Sequence, residues 1–464
     1  MTNKSIRLGK IKRPTIFPAV APTLLTDDTM KERQEKLLNA MSKEKFDLLI
    51  IYADKEHGGN FEYLTGFIPR FEEGLLLIDN SGTCTLILGN ENLKMANYSR
   101  IPAELKHSPL FSLPNQPMDN EQPLEELLKE AGIEKKNKIG LVGWKMFTTK
   151  NSVSSHYFDL PYFIVEAIKN ATAAQAEISN GTHLFVDGDV GIRSTNNANE
   201  IAHYEYGANL SSSCILEAMD AVEIGVAETT LGNHLTAQGQ PNTVVSIAAV
   251  GQRFEKANLY PTNKQAALGD SLSLTTAFKG GLSSRTGFVI QSEEQLPDNQ
   301  KDYLERLVKP YFRTVAYWLE HIKIGVSGGD FYTQIEAIFP KKDYHWHLNP
   351  GHLVSDEEWM SSPIYPGSTE TLKSGMILQI DIIPSVKGYT GVSAEECVAL
   401  ADQDLQNAIQ QQYPELWARI LVRRTYLEQE LGIKLSKDIL PLSNTVAYLR
   451  PFFLAKDTAL YLEK

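Results

Sequence analysis

The sequence predicts an α/β domain followed by an α+β domain, and three observations carry that reading. Up to about residue 190, short apolar runs alternate with amphipathic helical patterns. Between 170 and 200 the composition turns polar. Beyond that break, two long helical patterns frame separate strand-like runs. A chain of 464 residues has room for two domains or more, at roughly 150 residues each. It can bury its cores without disulfides or structural metals.

The elements follow in order. Residues 1–25 carry several prolines and read as an extended arm. Leu37, Leu38 and Met41 share a face of a helix over Met30–Lys45. The run Phe46–Tyr52 suits a strand buried on both faces. Gly74–Ile78 and Thr83–Leu88 flank the turn Asp79-Asn80-Ser81-Gly82 and read as a hairpin. A helix over Pro123–Ala131 precedes a strand at Lys138–Val142. After the polar break, Ile201, Tyr204, Ala208, Ile215, Met219 and Val222 recur at helical spacing over Glu200–Val222. A second long helix is expected from about Asp298 to Ile322. Strands are expected at Thr243–Val250, Leu272–Thr276, Phe288–Gln291, Met376–Ile383 and Glu396–Ala401, and a last helix at Tyr413–Leu431.

A formal net charge of −12 argues against two partner classes. Nucleic acid needs a basic face, and so does an anionic membrane surface. The cysteines Cys84, Cys214 and Cys397 form no CxxC pair. They read as small buried residues of a reduced compartment rather than as a zinc or redox motif. The opening segment has no apolar core, so it does not read as a signal peptide. No apolar run reaches the length of a membrane span. A cytoplasmic protein is the expectation.

Several short motifs occur in a telling order. Gly225 and Glu228 follow the first long helix, and Leu268-Gly269-Asp270 forms a turn before a strand. Gly325-Val326 follows the second long helix. Pro350-Gly351-His352, Leu372-Lys373-Ser374-Gly375-Met376 and Ala394-Glu395-Glu396-Cys397-Val398 come next. In the first half stands Tyr63-Leu64-Thr65-Gly66-Phe67. This series resembles the creatinase, prolidase and aminopeptidase P superfamily. The resemblance implies a creatinase-type N-terminal domain over 1–190 and a pita-bread domain over 191–464, with a C-terminal extension that it covers less clearly.

The resemblance also implies a two-metal site made of two Asp, one His and two Glu. Here the first aspartate position holds Thr275. The second falls within Gly280–Thr286, where serine or leucine stands instead. His352 fits the ligand histidine, Asp381 replaces the first glutamate with a shorter side chain, and Glu395 fits the last. Two carboxylates cannot offset two dications, so a two-metal cluster is disfavoured. Two carboxylates and one histidine do suffice for a single Mn, Zn or Fe. The position of the family's proton-shuttling histidine holds Asn258, and a second-shell histidine position holds Ser355. His347 stands where another family histidine would fall after a one-residue insertion.

Plainer readings stand beside these. His352 after a Pro-Gly turn reads equally as a hydrogen-bonded structural histidine. Asp381, in a strand of Ile and Leu, needs a partner, for which Arg285 and His352 are candidates. Glu395 and Glu396 are adjacent, so one faces inward and the other outward, into solvent. Ser283 and Ser284 lack the setting of a nucleophile.

The expected function is hydrolysis of a C–N bond in a small amide or short peptide, because creatinase within the family needs no metal. His352 is expected as the acid/base group, with Asp381 and Glu395 orienting it or binding a cationic substrate group. Arg285 is expected to bind a carboxylate. His347 is a further catalytic candidate, and Thr275 a substrate contact. The resemblance implies a homodimer in which Tyr63 and Arg70 reach the partner's cleft. A metal-dependent Xaa-Pro peptidase with a reduced site and a non-catalytic binding or scaffold protein are the alternatives.

Overall fold

The computed structural model describes residues 5–251, 253, 256 and 259–463. The chain forms two compact units, one from Leu25 to Ser194 and one joining the residues before and after that stretch. Both halves of the sequence expectation are met: an α/β unit and a larger α+β unit. The division falls after Ser194 rather than at 190, and the N-terminal arm clusters with the second unit.

The strands in chain order are β1 (Ile6–Lys10), β2 (Leu48–Ala53), β3 (Gly74–Asp79), β4 (Cys84–Leu88), β5 (Glu104–His107), β6 (Lys138–Val142) and β7 (Glu177–Asn180). They continue with β8 (Ile247–Val250), β9 (Ser271–Phe278), β10 (Gly281–Phe288), β11 (His352–Leu353), β12 (Ile377–Ile380), β13 (Ser393–Leu400), β14 (Ile439–Pro441) and β15 (Thr458–Leu462).

In the first unit the sheet order is β5-β4-β3-β2-β6-β7. The β2–β3–β4 meander is antiparallel, while β6 and β7 add in parallel. Helices Asp27–Glu44, Leu124–Glu130 and Tyr162–Ala171 accompany it. Strand β2 is buried at every residue, as its unbroken apolar run requires.

In the second unit a seven-stranded antiparallel sheet runs β11-β12-β13-β10-β9-β8, with β14 on β13. The helix Ala198–Asp220 crosses the β9–β10 hairpin at close range. A Cβ on Gly207 would lie 1.8 Å from the Lys279 carbonyl, and one on Gly280 2.1 Å from the Tyr204 carbonyl. The helix begins with a capping box between Asn197 and Glu200. The arm is not free: β1 pairs antiparallel with β15. The C-terminal stretch is likewise integral to the sheet, since β14 extends it.

Three sequence expectations change. The helix expected over Asp298–Ile322 is a 3-10 turn, a π-turn at Leu304–Val308 and an α-helix only from Lys309 to His321. Pro310 has no N–H to continue the α ladder, and the wider turn precedes it. The strand expected from Thr243 begins only at Ile247. Strand β10 spans Gly281–Phe288, ahead of the expected Phe288–Gln291. Its two glycines and two serines carry weak strand propensity, and pairing with β9 and β13 on either side overrides it.

Candidate functional site

The β9–β10 hairpin, β13 and the start of β8 wall a cavity of 860 Å³. Alternation along the strands decides what enters it. From β9 come Ser273 and Thr275, from β10 Leu282, Ser284 and Thr286, and from β13 Ser393 and Glu395. Asp381 follows directly on β12, and a loop after β11 supplies Glu358 and Trp359.

The floor is a chain of hydroxyls. Thr275 donates to Ser284 at 2.9 Å, and Ser284 and Ser393 lie 3.1 Å apart. Ser393 donates to Thr286 at 3.2 Å, and Thr286 to Ser273 at 3.2 Å. Register explains the link, because Ser284 sits opposite Thr275 on one side and Glu395 on the other.

His352 opens β11, and Gly351 before it adopts φ +142°. The imidazole is fully buried, its Nδ1 is 3.2 Å from the Leu353 carbonyl, and its ring stacks on Trp359 at 4.1 Å. Nε2 lies 3.2 Å from Glu358 Oε1 and 3.7 Å from Asp381 Oδ2. These are ion contacts without hydrogen-bond alignment, since Nε2 has no hydrogen-bond partner. Asp381 Oδ1 is also buried without a hydrogen-bond partner.

Three carboxyls and one imidazole thus share the site. Burial raises the Asp381 pKa, His352 opposes the rise and Glu358 adds to it, leaving a value of about 6. Burial, then Asp381 and Glu358, hold Glu395 well above the usual carboxylate range. Burial works against a charged His352, but the adjacent Glu358 and then Asp381 outweigh it and raise its pKa.

The structure therefore brings together His352, Asp381, Glu395 and Thr275. It places the other expected residues elsewhere. Arg285 points to the opposite face of the sheet, where it donates to Glu396 at 2.6 Å and to the carbonyls of Thr445 and Tyr448. Its donors are consumed, so it cannot receive a substrate carboxylate. Glu396 is not solvated but fully buried, accepting also from Ser283 and Thr445. His347 is exposed, and its neighbour Leu348 lines the cavity instead. Tyr63 is buried inside the first unit, its hydroxyl donating to the Ile192 carbonyl. Arg70 is exposed, with its guanidinium 5.3 Å from the Phe71 ring centroid. Asn258 lies outside the described residues. Glu358 and Trp359 were not legible as site residues. Their only sequence signal is an acidic run, Asp356-Glu357-Glu358, which ordinarily reads as solvated.

Residues 33–185 match the Creatinase/Prolidase N-terminal domain family. Solved structures extend the likeness over both units. The Xaa-Pro dipeptidase from Bacillus anthracis aligns at TM-score 0.60 with 18% identity, covering 81% of this chain and 96% of that one. The chain has the creatinase/prolidase superfamily fold. The prolidase from Pyrococcus horikoshii OT3 aligns at TM-score 0.60 and 19% identity over 80% and 95% of the two chains. An X-Pro aminopeptidase from Thermotoga maritima MSB8 aligns at 0.59 and 18% over 80% and 95%. No functionally curated protein matches the chain by sequence. Within this superfamily fold, the donors at the cavity are His352 and the carboxyls of Glu358, Asp381 and Glu395. The cavity wall at β9 and β10 offers neutral hydroxyls bonded to one another. No group of three His, Cys, Asp or Glu side chains arranged to hold a metal occurs among the described residues.

Proposed function

We propose that the protein hydrolyses a C–N bond in a small amide or short peptide, with Asp381 moving the proton and no two-metal cluster. One observation carries the reading. Asp381 places an unpartnered carboxyl oxygen in the wall of an 860 Å³ cavity, with an imidazole 3.7 Å from its other oxygen. That volume lies within the range of small-molecule sites. Peptidase names among structures of the same fold support the reaction class.

The ionised Asp381 takes a proton from water as the water oxygen bonds to the amide carbon. The proton passes to the nitrogen as the C–N bond breaks, giving an acid and an amine. Glu395 keeps its proton, so it donates a hydrogen bond to the carbonyl oxygen as negative charge grows there. His352 stands behind Glu358 and Asp381 and sets the charge that Asp381 experiences. It is therefore a positioning residue in this scheme, not the group that touches substrate.

The test is an assay of chelator-treated protein against small amides and Xaa-Pro dipeptides, beside Asp381→Asn. Turnover should survive chelation and fall at least ~10²-fold in the variant. Turnover that appears only with added Mn, Zn or Fe would instead favour a metal-dependent Xaa-Pro peptidase. An unchanged rate in Asp381→Asn would remove the role given to that carboxyl.

A further inference from the structure

The loop that carries Glu358 and Trp359 has no helix or strand of its own, yet both side chains are set against His352. Main-chain bonds close its base: Leu353 N donates to the Ser361 carbonyl at 2.7 Å, and Met360 N to the Leu353 carbonyl at 3.0 Å. Residues 355–359 leave the sheet and return. Their far side is held by the helix Ala198–Asp220 and by the turn between β9 and β10. Ser355 Oγ donates to the Tyr204 hydroxyl at 2.9 Å, and that hydroxyl donates to Asp356 Oδ2 at 3.2 Å. Gly280 N donates to the Ser355 carbonyl at 2.8 Å, and Lys279 Nζ lies 3.8 Å from Asp356 Oδ1. Tyr204 and Ser355 are both buried, so water does not compete for the bond between them. The Tyr204 ring is fixed in turn by a core that includes Ile201 and Val354.

We propose that Tyr204, which stands outside the cavity lining, is a positioning residue of the site: its hydroxyl clamps Ser355 and Asp356 and so sets Glu358 and Trp359 on His352. The inference rests on the hydrolytic reading above and names a further residue on which the same site depends. The path is short. Two residues beyond Asp356, Glu358 Oε1 lies 3.2 Å from His352 Nε2, and the next ring, Trp359, stacks on the imidazole at 4.1 Å. His352 Nε2 lies 3.7 Å from Asp381 Oδ2, the carboxyl that moves the proton in that reading. Among the anchors, the Lys279–Asp356 contact is long and its lysine 31% exposed, so it holds the loop weakly. The Tyr204 hydroxyl makes two buried bonds to successive loop residues, and its removal cuts both at once. A displacement of ~1 Å at the loop is enough to disturb a reacting geometry. The position where the resemblance implies a second-shell histidine holds Ser355, so this chain supports the loop through a hydroxyl pair instead.

Tyr204→Phe tests this in the full chain, because it keeps the ring and removes only the hydroxyl. The chain has five tryptophans, and each gives one indole N–H signal by NMR in isotope-labelled protein, with that of Trp359 assigned from Trp359→Phe. In Tyr204→Phe the Trp359 signal should shift or split as its stacking on His352 loosens. The signal of Trp346, whose indole donates to the Phe339 carbonyl, should stay in place. Asp356→Ala should reproduce the change, and Asp356→Asn, which keeps an acceptor for the hydroxyl, should largely spare it. On a small amide that the unaltered chain turns over, kcat should fall ~10- to 10²-fold in Tyr204→Phe, with KM changed far less. An unmoved Trp359 signal, an unchanged kcat, or a shift of all the indole signals together, the mark of a merely structural residue, would each overturn the proposal. Should Tyr204→Phe not fold, Asp356→Ala decides by the same signal. A displaced Trp359 signal in a chain that hydrolyses no amide would sustain the clamp and refute the hydrolytic reading alone.

Discussion

Arg285 Nη2 lies 2.6 Å from Glu396 Oε1, with both side chains sealed from solvent on the sheet face opposite the cavity. The two neighbours Ser284 and Glu395 are paired across the same strands and face the cavity. One step along each strand therefore separates a structural ion pair from the candidate chemistry.

Breaking that pair should harm the fold. Arg285→Met or Glu396→Gln leaves an uncompensated buried group, at a cost of about 3–5 kcal/mol. Urea unfolding of either variant measures it. Retained activity in whatever fraction stays folded would confirm that Arg285 does not hold substrate.

Asp381→Asn should separate stability from function. The carboxyl is buried, and Oδ1 makes no hydrogen bond among the described residues. Replacing it with the amide should leave stability equal or higher, within about 1–3 kcal/mol, while activity collapses. A melting temperature that falls along with activity would point to a structural role instead.

The same residue gives a pH signature. Its folded pKa of about 6 lies above its ordinary value of 3.8. The folded state therefore binds the proton more tightly than the unfolded chain does. Asp381 thus favours folding below about pH 4, and that contribution is lost as pH rises through 6. Unfolding free energy measured from pH 4 to 7 should decline less steeply in Asp381→Asn than in the unaltered chain.

Glu205 should show the opposite slope. Burial alone would raise its pKa, but Arg423 and Arg419 outweigh burial and lower it. Its stabilisation is present above the ordinary carboxylate pKa and is lost as pH falls through the depressed folded value. Glu205→Gln leaves Arg419 and Arg423 without their bidentate and shared partner. A loss of about 3–5 kcal/mol is expected by urea unfolding at neutral pH.

Charge balance at the metal position can be tested by addition. Thr275→Asp with Ser284→Asp places two further carboxyls beside Glu395 and Asp381 on the cavity wall. Manganese bound per chain, read by elemental analysis after desalting, should rise in the double variant relative to the unaltered protein. Equal occupancy in both would refute the view that missing negative charge governs metal affinity here.

The sequence by itself determined the strands, helices and turns whose cause is local. Strand β6 appears at the residues expected for it, Lys138–Val142, with every side chain but Lys138 buried. The β3–β4 hairpin follows from Asp79-Asn80-Ser81-Gly82, where Gly82 supplies φ +86°. The ordered motifs carried the superfamily fold and pointed to Thr275, His352, Asp381 and Glu395, which lie close together in the structure. Only the tertiary structure decided which way Arg285 and Glu396 face, because strand register settles that and register depends on the partner strand. Only the tertiary structure brought in Glu358 and Trp359, since a loop without periodicity gains its position from what it packs against. The neutral hydroxyl floor has the same origin. Single serines and threonines say little in isolation, and only cross-strand pairing joins them into one wall.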